Sequence, residues 1–252
     1  MRIDLNADLA ESFGRWTLGD DEAMLAVVSS ANVACGFHAG DPLTIRTALD
    51  IAHRNSVTVG AHVSYRDLAG FGRRFLDATP AELEGDVVYQ LGALMGMARV
   101  VGSEIRYIKP HGALYNRIQW DAVHAQALID GARRFGLPVM GMSGSVVLRL
   151  AAEAGLETIT EAFADRAYNA DGSLVSRDLP GALIEDPVEV AERAVRIAVH
   201  GTVEAVDGAL VDLGRPDSLC LHSDMPGTAS RAGLVRAALD AAGIEVVPVL
   251  AP

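Results

Sequence analysis

Cysteine is scarce in this sequence, which has two, Cys35 and Cys220, in 252 residues. Both lie in apolar runs typical of strands, and a chain of this length can bury a sizeable core without disulfides. No segment reaches the roughly 18 apolar residues that cross a membrane, and the N-terminal residues lack the apolar stretch of a signal peptide. We therefore expect a cytoplasmic protein without structural disulfides and without a membrane partner.

Aromatic residues make up only 5% of the chain, and no run of lysine or arginine stands out. The formal charge of −12 repels phosphate backbones, so we expect no nucleic-acid partner. A small anionic substrate is compatible with this charge because a few local cations can override the overall field. The glycines match neither a phosphate-binding loop nor a dinucleotide fingerprint, and no serine lies in a nucleophile-elbow context.

Apolar residues are abundant, at 50% of the chain, and occur in short runs that alternate with amphipathic segments. This alternation predicts a parallel sheet with helical crossovers. We expect a single α/β domain over residues 1–252, a (β/α) barrel of seven to eight mostly parallel strands, with an open doubly wound sheet as the alternative. Asp41, Thr79 and Asp186 each precede a proline, which is the pattern of a helix start. The predicted strands are 2–6, 31–35, 57–61, 105–109, 137–141, 158–162, 218–222 and 245–249, and the predicted helices are 42–54, 80–101, 121–135, 145–154, 187–199 and 228–242.

Two segments interrupt this alternation and are candidates for lids over a substrate. Residues 63–79 are rich in glycine and arginine, and residues 163–185 contain aspartate, asparagine, glycine and proline. Long loops of this kind often carry function. Residues 202–213 are predicted to form a small hairpin that turns at Asp207-Gly208.

The histidines are distributed unevenly over the predicted elements. Four of the seven lie at or just beyond the C-terminal end of a predicted strand, where catalytic side chains converge in barrels and open α/β sheets. A strand-end histidine can also simply cap a loop, but four at equivalent positions favour an active site. These are His38, His62, His111 and His222, whereas His53, His124 and His200 lie in or at the ends of helices and are interpreted as structural or solvated.

The first predicted strand ends in acidic and amide side chains. Asp4, Asn6 and Asp8 share one face of the strand because side chains alternate, and Glu11 follows shortly after. Asp8 and Glu11, nearer the mouth, are candidates for a base or a ligand. Asp4 and Asn6 either brace neighbouring loops or take part directly, Asn6 by contacting substrate.

Lys109 and His111 share a face at the end of the fourth predicted strand. A lysine in an apolar run is uncommon. It indicates either a site for an anionic group or a buried ion pair with Asp8, Glu11 or Glu161. Tyr115 is interpreted as a packing residue or as a side chain that reaches back to the substrate.

Further polar residues follow other strands and are candidates for substrate binding. The arginines bind a substrate carboxylate or phosphate, or else pair with acids on the lids. Ligation of zinc by the two cysteines is disfavoured because their spacing to histidine is not a recognised repeat. The additional candidates are Asp41, Arg73, Arg74, Glu161, Asp165, Arg166, His222 and Asp224.

Five segments together resemble the LamB/YcsF family, which is identified with the A subunit of bacterial ATP-dependent 5-oxoprolinase. They are DLNADLAESFG, NVACGFHAGDP, GAHVSYRDLAGFGRR, KPHGALYN and EAFADRAY, and the likeness extends from Arg2 to about Val249. The resemblance implies a distorted (β/α) barrel similar to the glycoside hydrolase/deacetylase group. It also implies opening of the 5-oxoproline lactam to L-glutamate, coupled to ATP hydrolysis, with partner subunits B and C. The chain departs from the family pattern at Ala10, Val63 and Arg66 and in residues 222–227.

The bond to be broken and the missing phosphate loop suggest how such a reaction is divided between subunits. An unstrained lactam is a poor electrophile, and phosphorylation of its oxygen would activate it, so ATP is expected as a co-substrate handled with a partner. Asp8, Glu11 or a histidine would act as base, while Lys109 and histidine donors stabilise the oxyanion. One alternative is a metal-dependent amidohydrolase or deacetylase, with Asp8, His38 and His62 as ligands of a divalent metal. Another is a non-catalytic subunit that binds an acidic metabolite. The sequence leaves a homo-oligomer open.

We predict that replacing His62, His111 or Lys109 by alanine lowers activity by about 10²-fold or more, the scale for loss of a general base or an oxyanion donor. The thermal midpoint should change little if these groups serve the reaction rather than the fold. Alanine variants of His53, His124 and His200 provide the comparison. Early unfolding of the strand-end variants, or retained turnover by folded ones, would contradict a shared active site.

Overall fold

Within residues 1–222 and 227–252, which the computed structural model describes, seven parallel strands close into a barrel. The barrel order is β1-β2-β3-β4-β5-β6-β9, and β9 pairs with β1 to close it. All the pairings around the barrel are parallel. The strands are β1 (Arg2–Leu9), β2 (Ser30–Ala34), β3 (Thr58–His62), β4 (Ile105–Ile108), β5 (Val139–Met142), β6 (Thr158–Phe163), β7 (Thr202–Glu204), β8 (Leu210–Asp212), β9 (Ser218–Leu221) and β10 (Glu245–Val246).

Helices pack around the barrel, and local signals in the sequence set their starts. Asp41 accepts hydrogen bonds from the backbone of Leu43 and Thr44, and Thr79 forms a reciprocal capping box with Glu82. In each case proline occupies the first helical position, where its missing N–H costs nothing. The helices are α1 (Asp21–Leu25), α2 (Pro42–Arg54), α3 (Pro80–Val101), α4 (Gly112–Arg117), α5 (Ala122–Arg133), α6 (Val146–Glu153), α7 (Pro187–His200) and α8 (Thr228–Ala241).

The N-terminal end of the barrel is plugged by the last residues of the chain. Val249 and Leu250 pack against Tyr107, Met140 and Ile159, which are buried inside the barrel. The Leu250 carbonyl also accepts a hydrogen bond of 2.8 Å from the Thr58 hydroxyl. The opposite end, where the strands have their carboxyl termini, therefore contains the accessible mouth.

The predicted closed barrel is confirmed, and the open doubly wound sheet is wrong because β9 pairs with both β6 and β1. The predicted hairpin is confirmed as the antiparallel pair β7–β8. The last predicted strand, 245–249, is reduced to Glu245–Val246, which pairs with the start of β1 outside the barrel ring. Helices α1 and α4 were not predicted because five and six residues are too few to show a helical period. No helix in the described part of the chain is long and apolar enough to cross a membrane.

Gly60 gives Tyr107 room inside the barrel. A Cβ atom at Gly60 would collide with the Tyr107 ring, and neighbouring strand β4 could then not keep this side chain in place. The Tyr107 hydroxyl donates a hydrogen bond of 2.7 Å to Asn32. Gly60 is thus needed for the aromatic ring that connects the apolar plug to the polar interior above it.

We predict that Gly60→Ala lowers the free energy of unfolding by about 2–3 kcal/mol, because overpacking a filled core forces side chains from their preferred rotamers. Gly92→Ala is the matched control: Gly92 is exposed on α3 with open space around it. That change should raise stability by about 0.5–1 kcal/mol through helix propensity. Urea unfolding followed by circular dichroism measures both, and equal midpoints for the two variants would contradict the close approach of Tyr107.

Candidate active site

A network of buried, hydrogen-bonded polar side chains extends along the inside of the barrel from Asp4. The Asp4 carboxylate accepts hydrogen bonds from the hydroxyls of Ser29 and Ser30, at 2.7 Å each, and from that of Ser218. Ser218 in turn accepts a hydrogen bond of 2.7 Å from the Asn6 amide. Burial raises the pKa of Asp4, and the three hydroxyls oppose that shift. Asp4 therefore braces strands β1, β2 and β9 below the mouth.

Lys109 lies at the mouth end of this network and is the only lysine in the sequence. Its side chain is 2% exposed, and its Nζ lies 3.1 Å from Asn6 Oδ1 and 3.0 Å from Asp8 Oδ1. Glu161 Oε2 is 3.1 Å from the same nitrogen, and Cys220 Sγ is 2.9 Å from it. Burial by itself lowers the pKa of Lys109, but Asp8, Cys220 and Glu161 raise it well above its ordinary value. The predicted ion pair is confirmed for Asp8 and Glu161.

Three imidazoles gather beside this charged centre. His62 Nδ1–H donates to the carbonyl of Lys109 at 2.8 Å, and His111 Nε2–H donates to the carbonyl of Phe71 at 2.8 Å. The other nitrogens of these two rings, His62 Nε2 and His111 Nδ1, face each other at 3.0 Å. The His38 ring stacks on the His111 ring with centroids 3.8 Å apart.

Two carboxylates face the imidazoles. Asp8 Oδ2 lies 3.4 Å from His62 Nε2, and Glu11 Oε1 lies 3.1 Å from His38 Nε2 and 3.5 Å from His111 Nδ1. Each of these five side chains is almost completely buried. The ligand atoms of Glu11, His38, His62 and His111 all lie within 4.8 Å of one another, a separation at which they could hold a metal ion.

The charges of these groups follow from their surroundings. Burial raises the pKa of Asp8, but His62 and Lys109 hold it well below its ordinary value. Burial lowers the pKa of His62, yet the facing Asp8 carboxylate raises it overall. Burial and the neighbouring imidazoles lower the pKa of His38 and His111. At neutral pH Asp8 is therefore ionised, whereas His38 and His111 are neutral.

Two glycines allow the loops to pack directly against the histidine side chains. A Cβ atom at Gly72 would lie 2.7 Å from the His111 ring and 2.8 Å from His38 Cβ, and the residue has φ +66°. A Cβ atom at Gly112 would lie 2.5 Å from the Gly72 carbonyl, which accepts a 2.8 Å hydrogen bond from the Ala113 N–H. The loop 63–79 is thus fastened over the histidines by backbone contact.

A cavity of about 520 Å³ opens above the charged centre. The first predicted lid contributes Phe71 and Arg73 to its wall, and the second contributes residues 171–178. Both segments therefore lie over the mouth, as predicted. Of the candidate site residues, those that line the cavity are Asp8, Glu11, His62, Arg73, Lys109, His111, Tyr115, Arg166 and His222.

Asp165 and Arg166 hold the second lid and the end of β9 in place. Asp165 accepts a hydrogen bond from the His222 backbone N–H at 2.8 Å, and its Oδ1 lies 3.0 Å from His222 Nδ1. Although burial raises the pKa of Asp165, His222 lowers it to about 2. The Arg166 guanidinium donates to the carbonyls of Val175 and Ala182, and burial lowers its pKa to about 10.

Comparison with known proteins agrees with the motifs. The profile of the LamB/YcsF family matches residues 3–251. The chain belongs to the LamB/YcsF family. A curated relative from Kocuria rhizophila, named as the A subunit of 5-oxoprolinase, is 54% identical over 246 residues, covering 97% of each protein. The crystal structure of the lactam utilization protein from Thermus thermophilus superimposes with a TM-score of 0.92 at 44% identity, covering 98% of this chain and 99% of that one.

The deacetylase-like architecture is confirmed by a more distant structure. A family 4 carbohydrate esterase from Streptomyces lividans matches with a TM-score of 0.50 at 12% identity, over 97% of this chain and 91% of that one. At this identity the match shows a shared fold and carries no information about substrate.

Within the described part of this LamB/YcsF protein, five predicted substrate-binding residues do not line the mouth cavity: Asn6, Glu161, Asp165, Asp41 and Arg74. Asn6, Glu161 and Asp165 are instead engaged by Ser218, Lys109 and His222. Asp41 caps α2 and accepts a hydrogen bond of 2.8 Å from the Gly14 N–H. Arg74 pairs with the buried Asp67, and its own side chain is 64% exposed. The local structure accounts for both, so their predicted roles are unsupported. Asp224 lies outside the described residues.

Sequence reasoning missed several residues that build the site. Asn32 donates to Asn6 Oδ1 at 2.7 Å and to Asp8 Oδ1 at 2.9 Å, so it fixes both side chains from the adjacent strand. Cys220, interpreted as a core residue, contacts the Lys109 ammonium and remains a buried free thiol. An amide within the apolar run SANVA was the available signal for Asn32, since a buried polar group needs a partner.

The structure changes the expected effect of Lys109→Ala on stability. Loss of the ammonium leaves Asp8 and Glu161 buried without their cation, so the free energy of unfolding at pH 8 should fall by about 3–5 kcal/mol. Without its cation the Asp8 carboxyl binds a proton more readily, and the folded state gains relative stability as pH falls. The loss should therefore be smaller at pH 5, as measured by urea unfolding. Arg149→Ala, which removes an exposed pair with Glu153, is the control and should cost below about 1 kcal/mol. The same loss at both pH values would argue against the buried pair.

Proposed function

We propose that this chain is the A subunit of a 5-oxoprolinase, which opens the lactam of 5-oxoproline to give L-glutamate. The observation that carries the proposal is the cluster of Asp8, Glu11, His62, Lys109 and His111 at one barrel mouth, next to a cavity of about 520 Å³. The curated relative at 54% identity is named as the A subunit of 5-oxoprolinase, and the Thermus structure at 44% identity is named a lactam utilization protein. Both matches span nearly the whole chain.

The residues of the mouth fit hydrolysis of a cyclic amide with a negatively charged substituent. Arg73 and Arg177 line the cavity and provide cations for the substrate carboxylate. The ionised Asp8 is placed to accept a proton from the attacking water. Lys109 N–H groups and a protonated imidazole can stabilise the negative charge that develops on oxygen.

ATP is proposed to supply the driving force through a phosphorylated lactam oxygen. Transfer of the γ-phosphoryl group to that oxygen releases ADP and makes the ring carbon more electrophilic. Water then adds to this carbon, and departure of the ring nitrogen as the amine leaves a glutamyl phosphate. A second water cleaves the acyl phosphate to L-glutamate and phosphate. The reaction thus consumes two waters, one for the lactam and one for ATP.

Partner subunits, B and C, are proposed to bind ATP and carry out the phosphoryl transfer. The sequence lacks a phosphate-binding loop, whereas it has the groups required for the hydrolytic half of the reaction. The Kocuria relative is itself named as one subunit of its enzyme, which supports assembly with other chains.

We predict that the isolated chain shows little or no ATP-dependent release of glutamate from 5-oxoproline, and gains this activity when subunits B and C are added. The test measures glutamate and ADP from the purified chain, from B with C, and from all three together. The reconstituted complex with His62→Ala is compared with one carrying His53→Ala, since His53 is exposed on α2. Robust turnover by the isolated chain would refute the division of labour. Full turnover with folded His62→Ala would instead favour a subunit that only binds the metabolite.

A further inference from the structure

The nitrogen atoms of His62 and His111 that face each other are both acceptors in the neutral rings. A backbone carbonyl can only accept a hydrogen bond, so the contacts to Lys109 and Phe71 place the ring protons on His62 Nδ1 and His111 Nε2. The lone pairs of His62 Nε2 and His111 Nδ1 then meet at 3.0 Å. Two lone pairs at this distance repel each other unless a proton or a cation lies between them.

The same arrangement is the usual one around a protein-bound metal ion. Histidines that ligate a metal almost always donate their other ring N–H to a carboxylate, a backbone carbonyl or water, which fixes the ring and its tautomer. His62 and His111 both satisfy this condition through carbonyl oxygens at 2.8 Å.

His38 adds an independent observation. Its side chain has no exposed surface, and its Nδ1 has no hydrogen-bond partner among the described residues. A buried ring nitrogen without a hydrogen-bond partner is unfavourable, so the surroundings of His38 are incomplete in the protein alone. Its Nε2 is 3.1 Å from the carboxylate of Glu11, so His38 belongs to the same group of side chains.

We propose that Glu11, His38, His62 and His111 bind one divalent first-row transition-metal ion. Imidazole together with one carboxylate suits zinc, iron, manganese or cobalt, and it disfavours calcium and magnesium, which prefer oxygen ligands. The set differs from the one predicted from the sequence, because Asp8 is engaged by Lys109 and Asn32, and Glu11 and His111 take its place. Glu11, His62 and His111 line the mouth cavity, so an oxygen of water or substrate can reach the ion.

The inference goes beyond the proposed reaction, since it requires no assumption about the substrate. Its rival is a proton shared between His62 and His111, which would relieve the same repulsion without a metal. The metal site and the shared proton differ in the metal content expected of the purified protein and in its proton NMR spectrum.

The test uses the full chain purified without a histidine tag and without chelators, from cultures supplied with zinc, iron, manganese and cobalt. Elemental analysis should find about one metal ion per chain, and cobalt added to the chelator-treated protein should give visible ligand-field absorption. His111→Ala and Glu11→Gln should each weaken binding by at least about 10-fold, while His53→Ala should bind as the unchanged chain does.

Circular dichroism establishes whether each variant is folded, and the cobalt spectrum of the unchanged chain does not depend on any variant. Less than about 0.1 ion per chain with each of the four metals would overturn the proposal. A strongly downfield proton resonance lost in both His62→Ala and His111→Ala would then establish the shared proton. Because no 5-oxoproline is used, these results stay separate from the glutamate-release assay.

Discussion

The buried ammonium group of Lys109 holds the active end of the barrel together. Its partners come from three other strands: Asn6 and Asp8 from β1, Glu161 from β6 and Cys220 from β9. Removing a charge from water costs several kcal/mol, and only well-placed opposite charges and acceptors offset that cost. Closure of the sheet between β9 and β1 brings all of these groups around one nitrogen, so the charge pattern and the barrel topology require each other.

The site accordingly has two parts, an interior whose polar side chains hydrogen-bond to one another and a rim of imidazoles and carboxylates at the barrel mouth. Asp4 and the serines around it are satisfied by one another below the mouth. The imidazoles above them combine tight packing with incomplete hydrogen bonding, as His38 shows. Polar groups that are buried without all of their hydrogen bonds lower the stability of the fold. Proteins keep such groups mainly where catalysis or binding needs them.

The sequence predicts the barrel and its mouth well because both depend on short-range patterns. Period, capping residues and prolines mark the strands and helices, and parallel strands bring their carboxyl ends together automatically. The sequence alone did not identify which acidic residues pair with Lys109. Asp8, Glu11 and Glu161 are 101, 98 and 52 positions away along the chain, and only the register of the barrel strands decides which of them lie next to the lysine. Asp41 and Arg74 were assigned to substrate since the sequence does not show that nearby backbone and Asp67 already satisfy them. Asn32 escaped notice because an uncharged amide in an apolar run carries little signal.

The solitary lysine has a consequence for any chemistry directed at amines. The remaining basic side chains are arginines and histidines, so the folded chain has no lysine amine at its surface. Acylating reagents and amine cross-linkers therefore find no exposed lysine and leave the barrel mouth unmodified. An acylated lysine can arise only when Lys109 comes into contact with water, so acylation of this side chain reports separation of the strands around it.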